Sequence, residues 1–371
     1  MEVLLVGYFP ETGAIAELFA TIAASLAVST RVAVLAPEHL SLAGAPVAAD
    51  FRFPFSSRRP HLAVVGQGLA AHRAAQELGP TATLFFTQHP LNIFASRLLR
   101  RSRRVLWWHE PEARGQARRV NSLAYGAHDR IVVPRSDRIV VASASVRRAV
   151  PDEVRARTFV VPFPRPTGFD SASTRFDSEP TDLLFFGKLA SYKGLDVVAA
   201  AMEELADRGI TPSLRVLGAG DLEGVAPRLA ALRRTGSSRI EHVDEYAPAA
   251  DVASALRASR ACLLPYLTAA GSSTIAIAGL HQATLLASEV GSFGDFLVDG
   301  ETALLFPAGD SHALANQIEA VMTESPRVEG LGDRLAMMST ATFDPMEVSD
   351  ELRSVLLDAT PSTRLGRVLP P

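Results

Sequence analysis

The sequence predicts two α/β domains, each built on a parallel sheet with helices on both faces. The chain has 371 residues, which exceeds one ordinary hydrophobic core and suits two domains of about 150–200 residues each. Short, almost continuously apolar runs alternate with longer amphipathic ones, as is typical of parallel strands buried on both faces. Residues 162–181, rich in Pro, Ser and Asp, interrupt the alternation.

The predicted strands form two series, one on each side of that interruption. The first series is Val3–Val6, Val32–Leu35, Leu62–Val65, Thr83–Phe86, Val105–Trp108, Arg138–Val141 and Thr158–Val161. The second is Leu183–Phe186, Leu214–Leu217, Arg239–Val243, Ala261–Leu264, Thr284–Ala287 and Ala303–Phe306. Helices between them include Ile15–Leu26, Leu195–Asp207, Ala226–Arg234, Ala249–Ala258 and His312–Met322. Such alternation of strand and helix predicts doubly wound, Rossmann-like sheets.

Domain boundaries follow from the same pattern. We predict an N-terminal Rossmann-like domain over residues 1–165, a linker over 166–180 and a second Rossmann-like domain over 181–345. A C-terminal helix over 346–358, with a return to the N-terminal domain as one option, precedes a flexible tail over 359–371.

Charge and cysteine content exclude several classes of protein. The net charge of −3 argues against nucleic-acid binding, because phosphate contacts need a basic excess. The single cysteine, Cys262, forms no internal disulfide or cysteine metal cage, so a cytoplasmic protein is expected. Met1 and Glu2 lead directly into Val3–Val6, which we interpret as a strand and not as a signal peptide.

The loop after Leu183–Phe186 combines two glycines with two lysines. Gly187 and Lys188 follow this strand, and Lys193 and Gly194 precede a helix. Glycines let the backbone approach a ligand closely, and a helix N-terminus offers N–H groups and a positive dipole end to an anion. The loop therefore predicts a diphosphate site. The alternative is two solvated lysines beside a turn.

Two further glycine-containing loops follow predicted strands. Gly13 is placed to close over the same phosphates, although a tight turn explains it nearly as well. Gly218 opens GAGDLEG, which is similar to a dinucleotide-binding fingerprint. The spacing differs from that fingerprint, and Asp221 and Glu223 would repel a pyrophosphate. A turn lining a nucleoside pocket is favoured over a nicotinamide-dependent oxidoreductase.

Histidines follow two predicted strands of the first half. His109, in WWHEP, is placed to orient or deprotonate a hydroxyl at the strand end, and His89, in TQHP, is a second candidate. A core histidine satisfied by backbone hydrogen bonds is the alternative for each. No acidic cluster in the sequence has metal-ligand spacing.

A basic run, RLLRRSRR, lies in the same half of the chain. The interpretation we favour is a solvated helix end, and the alternative is attraction to an anionic lipid or acceptor, which would make the protein peripheral to a membrane. Its arginines are Arg97, Arg100, Arg101, Arg103 and Arg104.

The second half of the chain resembles the retaining glycosyltransferases of family 4, the "group 1" family, over most of residues 183–322. The matching segments occur in the family's order: FFGKLASYKGLD, LRVLGAGD, EHVDEY, ACLLPY and TLLASEVGSFGDFLVDGETALLFPAGDSHALANQI. The resemblance implies the GT-B fold, in which two Rossmann-like domains face each other across a cleft. It also implies transfer of a sugar from a nucleoside diphosphate to an acceptor hydroxyl, without a cofactor or metal and with UDP as the expected carrier.

The resemblance also implies roles for individual residues. Lys188 and Lys193 match the family's basic residues that hold the donor diphosphate, beside Gly187. Gly13 resembles the N-terminal glycine loop over the phosphates, and His109 is similar to the histidine near the reacting sugar. The backbone around Gly218 and Tyr246 is expected to face the base of the nucleotide.

The sequence departs from the family at its E-x7-E glutamates. Alignment back from Leu285–Ser288 places Ala269 and Ile277 there, and neither side chain accepts a hydrogen bond. Backbone N–H groups and nearby side-chain hydroxyls are then expected to hydrogen-bond to the sugar. The candidate hydroxyls are those of Thr268, Ser272, Ser273 and Thr274. An alternative is a catalytically inert partner of an active transferase. A secondary-metabolite or surface-polysaccharide pathway is expected from the Ala-, Arg- and Pro-rich composition.

Overall fold

The structure is a computed structural model that divides the chain into two compact units, residues 1–166 with 343–371 and residues 167–342. It describes residues 2–9, 13–42, 44–54, 60–109, 116–169, 179–220, 222, 224–234, 236, 238–271 and 273–358, with side chains excluded at 60–63 and 116–125. The predicted tail, 359–371, and most of the predicted linker, 166–180, lie outside the described residues.

The first unit alternates strands and helices as far as residue 160. Its elements are β1 (Glu2–Val6), α1 (Ala14–Ser29), β2 (Arg31–Pro37), β3 (Ala49–Phe53), α2 (Pro60–Glu77), β4 (Ala82–Phe85), α3 (Asn92–Leu98), β5 (Arg103–Trp107), α4 (Gln116–Arg135), β6 (Arg138–Val141), α5 (Ala144–Ala149), α6 (Asp152–Arg155) and β7 (Thr158–Val160). The strands form one parallel sheet in the order β3-β2-β1-β4-β5-β6-β7. The strand order reverses between β1 and β4, where ligands of doubly wound sheets bind.

The second unit repeats this plan with a smaller sheet. Its elements are β8 (Thr181–Phe186), α7 (Leu195–Asp207), β9 (Leu214–Leu217), α8 (Ala226–Arg234), β10 (Ile240–Val243), α9 (Ala249–Arg257), β11 (Ser259–Leu264), α10 (Ser273–Leu280), β12 (Leu285–Glu289), α11 (Phe293–Phe296), β13 (Leu304–Pro307), α12 (Ser311–Met322) and α13 (Leu331–Phe343). All strand pairs are parallel, in the order β10-β9-β8-β11-β12-β13. The reversal here lies between β8 and β11.

The last described helix, α14 (Pro345–Leu357), belongs to the first unit and packs against α1. Val348, Leu352 and Val355 are buried in the hydrophobic core of that unit. Arg103 and Arg138 donate hydrogen bonds to carbonyls in the last turn of α14 and at Asp358. These arginines cap a helix end whose carbonyls would otherwise lack partners.

The predicted fold class is confirmed, because both units are parallel, doubly wound α/β domains, but two elements of the first unit were misassigned. Leu62–Val65, predicted as a strand, lies within α2. A run of four apolar residues does not distinguish a strand from one helical turn. The strand β3 was missed because it is an edge strand with alternating burial, in which Phe51 and Phe53 point inward.

No helix among the described residues is long and apolar enough to cross a membrane. Residues 261–288, which contain no Asp, Glu, Lys or Arg, form most of β11 and β12 and the whole of α10.

Candidate functional site

Loops at the carboxyl ends of three neighbouring strands meet in the second unit. Gly187 follows β8 and its N–H donates to the carbonyl of Leu217, the last residue of β9. Gly218 follows β9, and its N–H donates to the carbonyl of Val243 at the end of β10. These ends lie beside the β8/β11 reversal, where an open α/β sheet offers its ligand crevice.

The β8 and β11 loops approach closely at Gly194. This residue has φ +71°, and a Cβ atom built on it would lie 1.9 Å from the carbonyl oxygen of Pro265. The contact continues along the chain, since the N–H of Leu267 donates to the Tyr192 carbonyl over 2.7 Å. Glycine is therefore required at 194 for the two loops to pack.

Lys193 lies at the centre of this contact. Its side chain is only 8% exposed, and Nζ donates to the Tyr266 hydroxyl over 2.7 Å. That hydroxyl lies 3.5 Å from Oγ1 of Thr274 in α10. Gly187 provides the space, because a Cβ there would lie 2.8 Å from the Lys193 nitrogen.

The ammonium of Lys193 is buried without an acidic partner. Among the described residues, none places a carboxylate oxygen within 4 Å of it. Burial by itself lowers the pKa of Lys193, but the hydroxyls of Tyr266 and Tyr192 more than offset this, so the pKa is raised and the group stays charged. A charged, buried ammonium that no carboxylate among the described residues neutralises is suited to pair with a bound anion.

The other predicted donor-site residues of the second unit differ in exposure. Lys188 is exposed directly after Gly187, Thr268 and Ser273 are half-buried, and Thr274 is buried. Tyr246, three residues beyond β10, is 61% exposed. Ser272 lies outside the described residues. The structure thus links Lys193 to Thr274, while the predicted contacts of Lys188, Thr268, Ser273 and Tyr246 with a ligand stay predictions.

Tyr266 is a site residue that the sequence analysis missed. It follows β11 after Pro265 and is 3% exposed, so it resembles an ordinary core aromatic in the sequence. The available signal was a tyrosine at a strand's carboxyl end, because a buried phenol requires a hydrogen-bond partner.

Ala269 and Ile277 are both 5% exposed. The Ala269 carbonyl accepts a hydrogen bond from the N–H of Ser292, and Ile277 lies inside α10. Both side chains are apolar and buried, so neither offers a hydrogen-bond acceptor to a ligand.

In the first unit, His109 follows β5 and is held by its neighbours. Nε2 donates to the Phe86 carbonyl, and the ring stacks on Trp107 at 6.0 Å. Because Nε2 carries the proton, the buried Nδ1 is an acceptor, and it has no partner among the described residues. Burial lowers the pKa of His109 to about 4. At neutral pH His109 is therefore an uncharged hydrogen-bonding group.

His89, the second histidine candidate, follows β4. Its ring stacks on Tyr8 with ring centres 3.6 Å apart, and Nδ1 accepts from the N–H of Leu91. Burial, with a contribution from His128, lowers its pKa to about 4. This environment agrees in part with the alternative interpretation, a core histidine whose ring nitrogen is hydrogen-bonded to the backbone.

Gly13 precedes α1 in an extended conformation, φ 163°, and nothing lies within 4 Å of the position of a Cβ there. Packing in the described residues does not require glycine. Its predicted role over the phosphates stays a prediction.

Both depressed histidine pKa values predict that the first unit loses stability in acid. The unfolded histidines titrate near pH 6.5, so below this pH the unfolded chain binds more protons than the folded chain. Stability is then fully present above about pH 6.5 and falls toward pH 4, by up to about 1.4 kcal/mol per pH unit for each histidine. Urea unfolding at pH 7.5, 6 and 5 measures the slope.

A His89→Gln/His109→Gln variant should flatten that slope, and a His72→Gln variant, which changes an exposed histidine, should not. Equal slopes for the wild type and the double variant would contradict the prediction.

Among the described residues, no group of three or more His, Cys, Asp or Glu side chains is arranged to hold a metal ion. Cationic side chains and helix N-termini are the features of this site that suit an anion.

Comparisons with known proteins agree with this geometry. Residues 180–324 match the family model described as Glycosyl transferases group 1. A D-inositol 3-phosphate glycosyltransferase of Corynebacterium diphtheriae is 25% identical over 181 residues, which cover 48% of this chain and 42% of that protein. The match thus spans less than half the length of this curated relative.

Solved structures are similar over nearly the whole chain. HepE of Anabaena in complex with UDP-glucose has a TM-score of 0.69 at 15% identity, covering 95% of this chain and 98% of that chain. Sucrose-phosphate synthase of Thermosynechococcus elongatus has a TM-score of 0.69 at 16% identity, covering 95% and 97%. Starch Synthase IV of Arabidopsis thaliana, bound to ADP and acarbose, has a TM-score of 0.67 at 10% identity, covering 95% and 98%.

These likenesses establish the GT-B fold. Residues 180–324, which include all six strands of the second sheet, carry the match to the family model of group 1 glycosyl transferases.

Proposed function

We propose that this protein transfers a sugar from a nucleoside diphosphate to an acceptor hydroxyl, with retention at the anomeric carbon. The observation that carries the proposal is the buried ammonium of Lys193, which has only neutral partners among the described residues. A diphosphate supplies the missing negative charge, and nucleotide complexes of the similar HepE and Starch Synthase IV structures support this class of ligand.

The reaction breaks the bond from the anomeric carbon to the diphosphate and forms a bond to the acceptor oxygen. Negative charge develops on the departing diphosphate, where Lys193, Lys188 and the N–H groups at the start of α10 would stabilise it. A diphosphate oxygen takes the acceptor proton on the same face, as the family resemblance implies. Such preorganised contacts are worth several kcal/mol each in a closed site.

His109 is proposed to position a substrate hydroxyl. With a pKa of about 4, it is a weak base at neutral pH and gains little from proton abstraction. Its unprotonated Nδ1 instead accepts a hydrogen bond from a hydroxyl. A pathway in secondary metabolism or surface-polysaccharide synthesis remains part of this proposal.

Calorimetric titration with UDP, GDP, TDP and ADP tests the donor site and identifies the base. We expect micromolar binding of one nucleotide, with UDP the first candidate, and loss of binding in a Lys188→Ala/Lys193→Ala variant. Arg233→Ala/Arg234→Ala, which removes two cations from α8, is the matched control and should bind as the wild type does.

A catalytically inert GT-B partner protein is the second candidate. The buried, apolar side chains of Ala269 and Ile277 favour it, because they offer no acceptor at the positions aligned with the family's glutamates. If none of the four nucleotides binds, this candidate replaces the first. If one binds and its sugar conjugates are turned over, the inert candidate is excluded.

A further inference from the structure

The short helix α3 has an outer face of unusual composition. Its inner residues, Asn92, Ala95 and Ser96, are buried, as is Leu99 directly after it. On the opposite side Phe94 is 49% exposed and Leu98 is 40% exposed, and they are joined by exposed arginines. We define the α3 surface as the exposed residues of this side of the helix and of the turn that follows it: Phe94, Arg97, Leu98, Arg100 and Arg101.

The structure separates the predicted basic run into two groups. Arg103 donates to the Leu356 carbonyl over 2.8 Å, and Arg104 pairs with Asp137 at 3.2 Å, so both have structural partners. Arg97, Arg100 and Arg101 have no carboxylate within 4 Å among the described residues. Residues 90–104 contain no Asp or Glu, so no acidic side chain of this segment offsets the three exposed arginines.

We propose that the α3 surface docks this protein on an anionic lipid bilayer. An apolar pair at i, i+4 enters the headgroup region, while arginines on the same face contact lipid phosphates. The arginine stems extend along apolar surface and keep the charge in the polar layer. One partner then binds both the apolar and the basic side chains of this surface.

A soluble polyanion fits this surface less well. It would pair with the arginines but leave Phe94 and Leu98 in water. The overall charge of −3 also opposes general attraction to anions, so binding must be local to the basic surface. Helix α2, which packs against α3, also carries exposed apolar side chains: Val65 is 60% exposed and Leu69 is 63% exposed.

Co-sedimentation of the full chain with vesicles tests the proposal. We expect binding to vesicles of 60% phosphatidylcholine and 40% phosphatidylglycerol, much weaker binding to pure phosphatidylcholine, and loss of binding at high salt. Each arginine near an anionic surface is worth roughly fivefold in partitioning. Arg97→Gln/Arg100→Gln/Arg101→Gln should therefore reduce partitioning on the order of 100-fold.

Matched control variants distinguish the effect of this surface from a general effect of charge or hydrophobicity. Arg233→Gln/Arg234→Gln/Arg257→Gln removes three exposed arginines from helices α8 and α9 of the second unit and should bind as the wild type does. Phe94→Ser/Leu98→Ser should weaken binding at least about tenfold. Val28→Ser/Met337→Ser, at exposed positions elsewhere, should not.

Equal loss in the arginine control, or no loss in the α3 variants, overturns the proposal. Wild-type sedimentation that does not exceed that of a vesicle-free sample also overturns it. Heparin binding that needs the three arginines but not Phe94 and Leu98, without vesicle binding, would assign the surface to a soluble polyanion. Circular dichroism of each variant confirms that it is folded.

Discussion

Replacing Lys193 by methionine is expected to raise the dissociation constant for the bound nucleoside diphosphate about 100-fold. A hydrogen-bonded charge contact contributes about 1.5–3 kcal/mol, and the buried position of this ammonium places it at the upper end. The apo protein should lose no more than the charge-assisted hydrogen bond to Tyr266, about 1.5–3 kcal/mol, because methionine keeps the buried apolar part of the lysine side chain.

Calorimetry gives the affinity, and thermal unfolding without ligand gives the stability. Lys188→Met is the matched control, since it makes the same change at an exposed lysine and should cost about tenfold or less. Tyr266→Phe removes the 2.7 Å hydrogen bond to Nζ but keeps the ring beneath it, so its effect should lie between the two. A Lys193→Met variant that binds nucleotide normally would remove the main support for the donor site.

The second large effect is expected from Gly194→Ala, which should destabilise the second unit by about 3 kcal/mol or more. A left-handed backbone costs a non-glycine residue about 1–2 kcal/mol. The new Cβ would also lie 1.9 Å from the Pro265 carbonyl oxygen. That oxygen belongs to the backbone, so the loop after β11 must move and take Tyr266 with it.

Gly209→Ala provides the control for this prediction. Gly209 has φ +77°, close to the +71° of Gly194, but nothing lies within 4 Å of its Cβ position. The difference between the two variants in urea unfolding therefore isolates the steric clash. Equal destabilisation of the two variants would show that the loops at Gly194 and Pro265 can separate at no cost.

Much of the fold could be predicted because most of its strands are buried on both faces. Val3–Val6 and Leu183–Phe186 appear in the sequence as continuous apolar runs, and both are strands. The half-buried edge strand β3 lacks that signal, and Leu62–Val65 shows it although the run is helical. Their assignment depends on neighbours that are distant in the sequence.

The candidate site was only partly predictable, for a related reason. Lys188 and Lys193 stood out because charge and glycine follow a buried strand in the sequence. Tyr266 did not, since only the folded chain brings its hydroxyl to a lysine 73 positions away. The Nδ1 of His109, which has no partner among the described residues, likewise depends on the Phe86 carbonyl, a contact between adjacent strands that no local pattern contains.

The buried ammonium has a practical consequence, because Lys188 and Lys193 are the only lysines among the 37 Lys and Arg residues. All the other residues in this count are arginines. At position 193 the ammonium lies so close to Gly187 that a Cβ there would be 2.8 Å from it. Apart from the α-amino group, an amine-selective label therefore reports on this one loop: Lys188 should react readily, Lys193 slowly, and occupancy by an anion should protect both. The intact protein thus carries its own mass-spectrometric probe of ligand binding.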